Sequence, residues 1–272
     1  MPTLKEALAQ KLTAAELKLL PNSFDVIGTI AIFTNFPPAL RKKERLIAET
    51  LLRMHPYLKT IAIKTEKYSG KYRLQKLKIL AGKKTTETIH KESGLTFVLD
   101  VERCYFSPRT ANERMRIARL INPQESVLVM FSGIAVFPIV ISKHSHAKEI
   151  YAIELNSAAH KYALKNIEIN KIKNITALKG DVKKILPGVH KKFDRIIMPL
   201  PKNAEDYLGL ALKHLHKAGI IHFYDFSQEK EFPESSIKKI RRHIKKFRLL
   251  KAVKCGQYAP YTFRICIDFQ PL

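Results

Sequence analysis

The sequence has few cysteines, no long apolar run and a shortage of acidic residues, and each of these excludes a class of protein. Its three cysteines are Cys104, Cys255 and Cys266, an odd and widely spaced set without a CxxC pair. This pattern argues against a disulfide framework and against a zinc knuckle. No stretch of about 18 apolar residues is available to span a bilayer, and Glu6 and Glu16 interrupt the segment where a signal peptide would have its apolar centre. We therefore expect a cytoplasmic protein with no metal site and no membrane partner.

Acidic residues are about half as numerous as basic ones. The 272 residues include 24 Asp and Glu against 49 Lys and Arg, which gives a formal net charge of +25. With 46% apolar residues, the chain has the composition of a globular protein of one large or two modest domains. A positive field of this size attracts polyanions such as nucleic acids.

The basic excess is densest between Lys238 and Lys251, where eight cations occur without an acid. The apolar residues Ile237, Ile240 and Ile244 have helical spacing, so this segment is predicted to be an amphipathic helix. Such a charge run is usually a solvated face, but in a chain this basic it favours contact with phosphates.

The hydrophobic pattern changes near residue 106. Residues 1–106 combine short helices with short strands, including a hairpin that turns at Glu92-Ser93-Gly94, and predict a small α+β domain. Residues 107–272 alternate apolar strands with helices, which predicts a parallel sheet covered on both faces, closed by a final pair of longer strands. The predicted fold class is therefore α/β, preceded by a small α+β domain.

Three elements are predicted from local patterns in addition. Residues 24–33 and 72–80 each predict one strand, and residues 203–217 predict a helix.

Small and acidic residues follow successive strands of the second half. Phe131, Ser132 and Gly133 form a turn after the first strand, Glu154 ends the next strand 21 residues after Gly133, and Asp181 follows the third. In open α/β sheets ligands bind at the carboxyl ends of the strands, and a carboxylate at this spacing meets the hydroxyls of a ribose. The pattern suits an adenosine-type ligand. A tight turn with solvated acids would have the same spacing.

Two further sites allow both a structural and a chemical interpretation. Thr110 and Glu113 fit the capping box T-x-x-E, but the same carboxylate could take a proton from a substrate where the two domains meet. Pro199 and Pro201 follow the fourth strand. They are either a strand stop or a stiff apolar shelf on which a planar base would lie.

A series of motifs runs in order from about residue 22 to the C-terminus. It comprises Thr86-Glu87-Thr88-Ile89-His90-Lys91-Glu92, Leu99-Asp100-Val101, Phe106-Ser107-Pro108-Arg109, Asn112-Glu113-Arg114-Met115-Arg116, Met130-Phe131-Ser132-Gly133-Ile134, Ile153-Glu154-Leu155-Asn156, Leu200-Pro201-Lys202 and Tyr258-Ala259-Pro260. The series resembles the archaeal and eukaryotic tRNA guanine-N1 methyltransferases that act at position 37, together with their sister wybutosine-pathway aminocarboxypropyl transferases.

The resemblance implies a class I methyltransferase (Rossmann-like) domain over residues 107–272 that uses S-adenosyl-L-methionine, preceded by an RNA-binding domain over residues 1–106. It implies that Glu113 is the general base that removes the proton from guanine N1 and that Arg73 lies near the target base. Taken together with the patterns above, the catalytic set that we predict is Glu113, Arg73, Pro199 and Pro201. The cofactor set is Phe131, Ser132, Gly133, Glu154, Leu155, Asp181 and Val182. The tRNA set, which includes the basic segment, is Arg109, Arg114, Arg241, Arg242, Lys245 and Lys246.

The sequence departs from the family pattern at three points. Val129 replaces the acid that opens the family's glycine turn, Ala135 replaces its second glycine, and Pro199 replaces an asparagine. The short N-terminal region is also seen in the aminocarboxypropyl branch, whereas Leu200-Pro201-Lys202 is closer to the methyltransferases.

We therefore predict a monomeric, cytoplasmic tRNA methyltransferase acting at N1 of guanosine 37. The alternatives are aminocarboxypropyl transfer from the same cofactor, and an RNA-binding module with little catalysis.

Overall fold

The computed structural model describes residues 3–66 and 70–272 of the chain. Its contacts form two compact units, Met1–Pro108 and Arg109–Leu272. The division falls two residues after the boundary that the hydrophobic pattern predicts. None of the helices in the described ranges combines the length and the apolarity needed to cross a membrane.

The first unit contains short helices and two small sheets. Its helices are α1 (Leu4–Ala7), α2 (Ala14–Lys18) and α3 (Glu44–Met54), with a 3-10 helix at Pro38–Lys43, and its strands are β1 (Asp25–Ile27), β2 (Ile30–Phe33), β3 (Thr60–Lys64), β4 (Leu77–Gly82), β5 (Glu87–Glu92) and β6 (Leu95–Asp100).

Strands β1 to β4 form one sheet in that order, and β2 and β3 are its parallel pair. Helix α3 connects those two strands. It buries Ile47 and Leu51, four residues apart on one face, in a cluster with Phe33 and Ile61. Strands β5 and β6 form the predicted hairpin. The first unit is therefore α+β, as predicted.

Two strand predictions in this unit are wrong in their bounds. The strand predicted over residues 24–33 is divided by a turn at Gly28, whose φ is +57° and where an added Cβ would lie 2.3 Å from the carbonyl oxygen of Ile89. Only glycine fits this close approach. The strand predicted over residues 72–80 starts at Leu77, because the chain turns first at Arg73, whose φ is +52°.

The second unit contains one large sheet and its covering helices. Its helices are α4 (Ala111–Leu120), α5 (Val136–His144), α6 (Ser157–Ile169), α7 (Val182–Ile185), α8 (Leu208–Lys213) and α9 (Glu234–Arg241), and its strands are β7 (Ser126–Met130), β8 (Glu149–Glu154), β9 (Ile175–Lys179), β10 (Phe193–Met198), β11 (Leu215–Gln228), β12 (Phe247–Ala259) and β13 (Thr262–Pro271).

The strand order of this sheet is β12-β13-β11-β10-β7-β8-β9. Strands β7 to β11 are parallel to one another. Strand β13 pairs antiparallel with β11 and closes the sheet as an antiparallel hairpin with β12. The chain moves outward from β7 to β9 and then returns to the other side of β7 with β10. The switch in strand order therefore lies between β7 and β10, where open α/β sheets bind ligands.

Two helix predictions in the second unit are wrong. Residues 203–217 do not form one helix, because Asn203 has a φ of +65°, a 3-10 helix covers Ala204–Tyr207, and Leu215 already pairs with Phe193 in the sheet. The basic helix predicted as far as Lys251 ends at Arg241, and β12 begins at Phe247. Pairing with β13 overrides the helical spacing of this segment.

Candidate active site

The carboxyl ends of four strands lie side by side at one edge of the second sheet. Met130 of β7 pairs with Ile153 of β8, and Val129 pairs with Ile197 of β10. Glu154 pairs with Lys179 at the end of β9. The predicted cofactor segments 131–133, 154–155 and 181–182 and the two prolines at 199 and 201 therefore all follow strands that end at this edge.

The turn after β7 has a glycine-type backbone. Phe131, Gly133 and Ala135 have φ values of +56°, +60° and +64°, in the left-handed region that costs a non-glycine residue about 1–2 kcal/mol. The amide of Ser132 donates to the carbonyl of Ile153 at 2.9 Å, which fixes the turn against β8. Ala135, at the position of the family's second glycine, thus adopts a left-handed conformation that favours glycine.

Glu154 connects this turn to β8. Its carboxylate is buried and accepts hydrogen bonds from the amides of Gly133 at 2.7 Å and Asn156 at 2.6 Å. Burial raises the pKa of the Glu154 carboxyl, and the backbone amides oppose that rise. A carboxylate has about four acceptor positions, so acceptor capacity remains for a ribose hydroxyl. The residues at this edge fit the adenosine part of S-adenosyl-L-methionine.

Tyr207 is a candidate cofactor contact that the sequence analysis missed. Its ring meets the ring of Phe131 edge-on at a centroid distance of 4.8 Å, and the Lys183 ammonium lies 4.8 Å from its centroid. Burial raises the pKa of the Tyr207 hydroxyl, and Asp181 adds to the rise. Asp181 itself caps α7 by accepting from the amide of Lys183 at 3.0 Å. Tyr207 lies within residues 203–217, which the sequence predicts to be a helix, so no local pattern marks it as a site residue.

The capping-box interpretation of Glu113 is wrong. Thr110 makes no side-chain cap, and its hydroxyl instead accepts from Arg114 at 2.5 Å. The Glu113 carboxylate is only 4% exposed and accepts from the Tyr224 hydroxyl at 2.6 Å and from two nitrogens of Arg116 at 2.7 and 2.8 Å. Glu113 is therefore anchored in the interior of the second unit by an ion pair.

The position of Tyr224 in β11 shows where the Glu113 carboxylate lies with respect to the carboxyl edge of the sheet. Phe223 pairs with Met198, the last residue of β10, so Tyr224 lies one residue beyond the level at which β10 ends. Its ring is also 5.9 Å from that of Phe137 in α5. Because the Tyr224 hydroxyl donates to Glu113, the Glu113 carboxylate lies within one tyrosine side chain of the sheet edge at which β10 ends and Pro199 follows.

The interior also contains polar residues that sequence reasoning missed. His222, Cys266 and Asp268 are fully or almost fully buried, and Arg116 donates to Asp268 at 2.5 Å. A signal was present in the sequence. His222 and Tyr224 in β11, and Cys266 and Asp268 in β13, are each two residues apart, so their side chains point to the same face of the sheet. Buried strands seldom carry polar residues in such alternation.

The other predicted residues differ in their surroundings. Pro199 is half-buried and Pro201 is buried. Arg73 lies in a turn of the first unit with its guanidinium 4.6 Å from the centroid of the Tyr105 ring. Arg109 is exposed, whereas Arg114 is 4% exposed.

The basic segment presents most but not all of its cations to solvent. Arg241, Arg242, Lys245 and Lys246 are exposed, and they lie at the end of α9 and in the turn before β12. Lys239 points inward and pairs with Asp225 at 2.9 Å. The basic surface is therefore a helix end and a turn rather than a continuous helix face.

The strand order, the glycine-type turn after β7 and the carboxylate at the end of β8 define a Rossmann-like domain. Residues 88–251 match the model of the TRM5/TYW2 methyltransferase domain, and residues 4–85 match that of the TYW2 N-terminal domain. The chain belongs to the TRM5/TYW2 methyltransferase family, and the predicted family and class I methyltransferase fold are confirmed.

Two branches of the family are represented among similar proteins. The chain is 37% identical to the tRNA (guanine(37)-N(1))-methyltransferase Trm5b of Pyrococcus abyssi over 93% of this chain and 76% of that protein. The crystal structure of that Trm5b matches with a TM-score of 0.86 at 36% identity, over 95% of this chain and 78% of that one. A tRNA(Phe) (4-demethylwyosine(37)-C(7)) aminocarboxypropyltransferase of Methanocaldococcus jannaschii is 34% identical over 77% of this chain and 85% of its own length. The structure of Pyrococcus horikoshii TYW2 in complex with MeSAdo has a TM-score of 0.83 at 27% identity, over 98% of this chain and 97% of that one.

Proposed function

We propose that this protein is an S-adenosyl-L-methionine-dependent tRNA methyltransferase that modifies N1 of guanosine 37. The observation that carries the proposal is the 37% identity to Pyrococcus abyssi Trm5b over 93% of the chain. S-adenosyl-L-methionine, when bound, supplies a methyl group on a positively charged sulfur. The substrate is tRNA, and the net charge of +25 suits a phosphate-rich partner.

The cofactor would be oriented at the carboxyl edge of the second sheet. Glu154 would accept from ribose hydroxyls, as its buried position at the end of β8 suits. Phe131 and Tyr207 would supply aromatic surface beside it, and Asp181 would lie at the neighbouring strand end. Pro199 and Pro201 would offer the rigid apolar surface on which a guanine ring lies.

Glu113 is assigned the removal of the proton from guanine N1. That nitrogen carries a hydrogen, which must leave as the methyl group arrives, and a positioned carboxylate contributes about 100- to 10,000-fold to such a transfer. Oε1 of Glu113 already accepts from Tyr224 and Arg116, and Oε2 accepts from Arg116. The Glu113 carboxylate is the group to which the proton would pass. Arg73 is assigned to the carbonyl oxygen of the base, where negative charge develops.

Aminocarboxypropyl transfer is the second candidate, because residues 4–85 match the TYW2 N-terminal domain and the chain spans 97% of the Pyrococcus horikoshii TYW2 structure. The two reactions use the same cofactor but transfer different substituents of its sulfur. They therefore predict different products from different starting nucleosides.

The test is to incubate the protein and S-adenosyl-L-methionine with two tRNAs, one carrying guanosine and the other 4-demethylwyosine at position 37. Nucleosides are then identified by mass spectrometry. We expect 1-methylguanosine from the first tRNA and no product from the same transcript with adenosine at position 37. An aminocarboxypropyl group on the second tRNA, with no reaction on the first, would replace the main proposal by the alternative. If neither tRNA is modified, and calorimetry detects tRNA binding but no cofactor binding, the chain would be an RNA-binding module.

A further inference from the structure

Arg116 is shared between two buried carboxylates. Its guanidinium donates to Glu113 through Nε and Nη2 and to Asp268 through Nη1, at 2.7, 2.8 and 2.5 Å respectively. A second contact joins Nη2 to Asp268 at 3.3 Å. The side chains of both acids are at most 4% exposed. One positive charge thus compensates two negative ones in an environment that screens them weakly.

Asp268 is fixed from its other side. Nδ1 of His222 lies 2.6 Å from Oδ1 of Asp268, and Nε2 of His222 lies 3.0 Å from a guanidinium nitrogen of Arg195. Because a guanidinium only donates, Nε2 must accept and Nδ1 must carry the hydrogen that bonds Asp268. Arg195 is in turn bound by both oxygens of Glu125 at 2.6 and 2.8 Å. The direction of every hydrogen bond from Glu125 to Glu113 is therefore determined.

The charge states of this cluster follow from burial. Burial lowers the pKa of His222, and the hydrogen bond that the ring donates to Asp268 opposes this shift, so the ring is neutral. Burial alone would raise the pKa of Asp268, but the hydrogen bonds from His222 and Arg116 and the charge of Arg116 hold it well below its usual range. Asp268 is consequently an anion under all ordinary conditions.

The other groups that face Glu113 keep their protons. Burial raises the pKa of the Tyr224 hydroxyl and of the thiols of Cys255 and Cys266. These three groups are therefore neutral beside Glu113, and Asp268 is the anion that shares Arg116 with it.

We propose that Asp268 is a positioning residue for the base, which shares the positive charge of the Arg116 guanidinium with Glu113 and leaves that carboxylate oriented and able to accept a proton. The inference rests on the proposed function, in which Glu113 is the base. A carboxylate that faces an undivided guanidinium holds a proton poorly, because the positive charge stabilises its ionised form. Asp268 compensates part of that charge.

The test is the pH dependence of single-turnover methylation in Asp268→Asn. The substitution leaves the whole charge of Arg116 on Glu113. The acid limb of the profile should therefore move to lower pH by about half to one unit, and the plateau rate should fall by about threefold because the base is weaker.

Asp225→Asn is the matched control. Asp225 is 4% exposed, is adjacent to Tyr224 in β11, and bonds Lys239 and Ser236 rather than Arg116. Its substitution removes a similarly buried charge, so any loss of stability is comparable, but the acid limb should stay in place.

Arg116→Gln provides a second variant with the opposite sign, because removing the guanidinium should move the acid limb to higher pH. If only one of these variants folds, that one decides.

Carbon-13 NMR titration of protein labelled in its glutamate carboxyl groups, with Glu113→Gln to assign the resonance, gives the same readout without tRNA or activity. An unmoved Glu113 titration in Asp268→Asn, or an equal movement in Asp225→Asn, would overturn the inference. If the parent protein does not methylate tRNA, the proposed function is refuted. The NMR titration of Glu113 would then still decide whether Asp268 acts on that carboxylate.

Discussion

Replacing Glu113 by Gln separates its structural role from its chemical one. The parent carboxylate accepts three hydrogen bonds, two of them from Arg116. A glutamine keeps those that its single oxygen can accept, but its NH2 group faces a guanidinium that also only donates. Arg116 retains Asp268 as a partner, so the cost should be about 1–3 kcal/mol rather than the 3–5 kcal/mol of leaving a buried charge wholly unpaired.

The chemical consequence should be larger than the structural one. An amide has no useful proton affinity, so single-turnover methyl transfer should fall by about 100-fold or more. Denaturant unfolding measures the first effect, and transfer from radiolabelled S-adenosyl-L-methionine to tRNA, well below the unfolding temperature, measures the second. Asp225→Asn should be destabilised to a similar degree yet methylate at close to the parent rate. A Glu113→Gln rate within about threefold of the parent at every pH would mean that Glu113 is only an anchor for Arg116.

Three further predictions concern cofactor and RNA binding. Glu154→Ala should weaken S-adenosyl-L-methionine binding by about 1–3 kcal/mol in calorimetry, whereas Glu149→Ala at the start of the same strand should not. Because burial raises the pKa of Glu154 and ribose hydroxyls donate to its ionised form, parent affinity should fall as pH drops through that raised pKa, and Glu154→Ala should lose this dependence. Tyr207→Ala should weaken cofactor binding several-fold and Tyr207→Phe should not, since the ring rather than the hydroxyl contacts Phe131; equal affinities would remove Tyr207 from the site. A variant in which four exposed cations are changed to Gln should show a slope of log K for tRNA against log salt that is smaller by about 3; the four are Arg241, Arg242, Lys245 and Lys246. The control Lys239→Gln should not change this slope. An unchanged slope in the fourfold variant would place the RNA surface elsewhere.

The parts of the fold that follow local rules were predictable from the sequence. The hairpin predicted to turn at Glu92-Ser93-Gly94 is present. The alternation of apolar strands and helices correctly predicted the parallel sheet. The position of Glu154 at a strand end also follows from the sequence alone, because it depends only on the end of β8.

The remaining features depend on contacts between distant segments. Glu113 has the spacing of a cap, but the buried hydroxyl of Tyr224, 111 residues away, and the nearby guanidinium of Arg116 compete for its carboxylate. The residues after Arg241 have helical spacing, but β13 offers a full ladder of backbone partners from Phe247 onward. The role of Asp268 is set by Arg116, 152 residues away. No local pattern specifies such pairings.

The position of β12 at the end of the sheet has a consequence for solubility. An edge strand presents unpaired backbone groups to which another chain can add, and β12 also exposes Leu249 and Leu250, at 42% and 40% of their surface. Arg248 and Lys251 flank this pair and are exposed themselves. They act as gatekeepers, because like charges would be brought together if two copies joined along this edge. The high basicity that suits a polyanionic partner thus also protects the protein from aggregation through its own sheet.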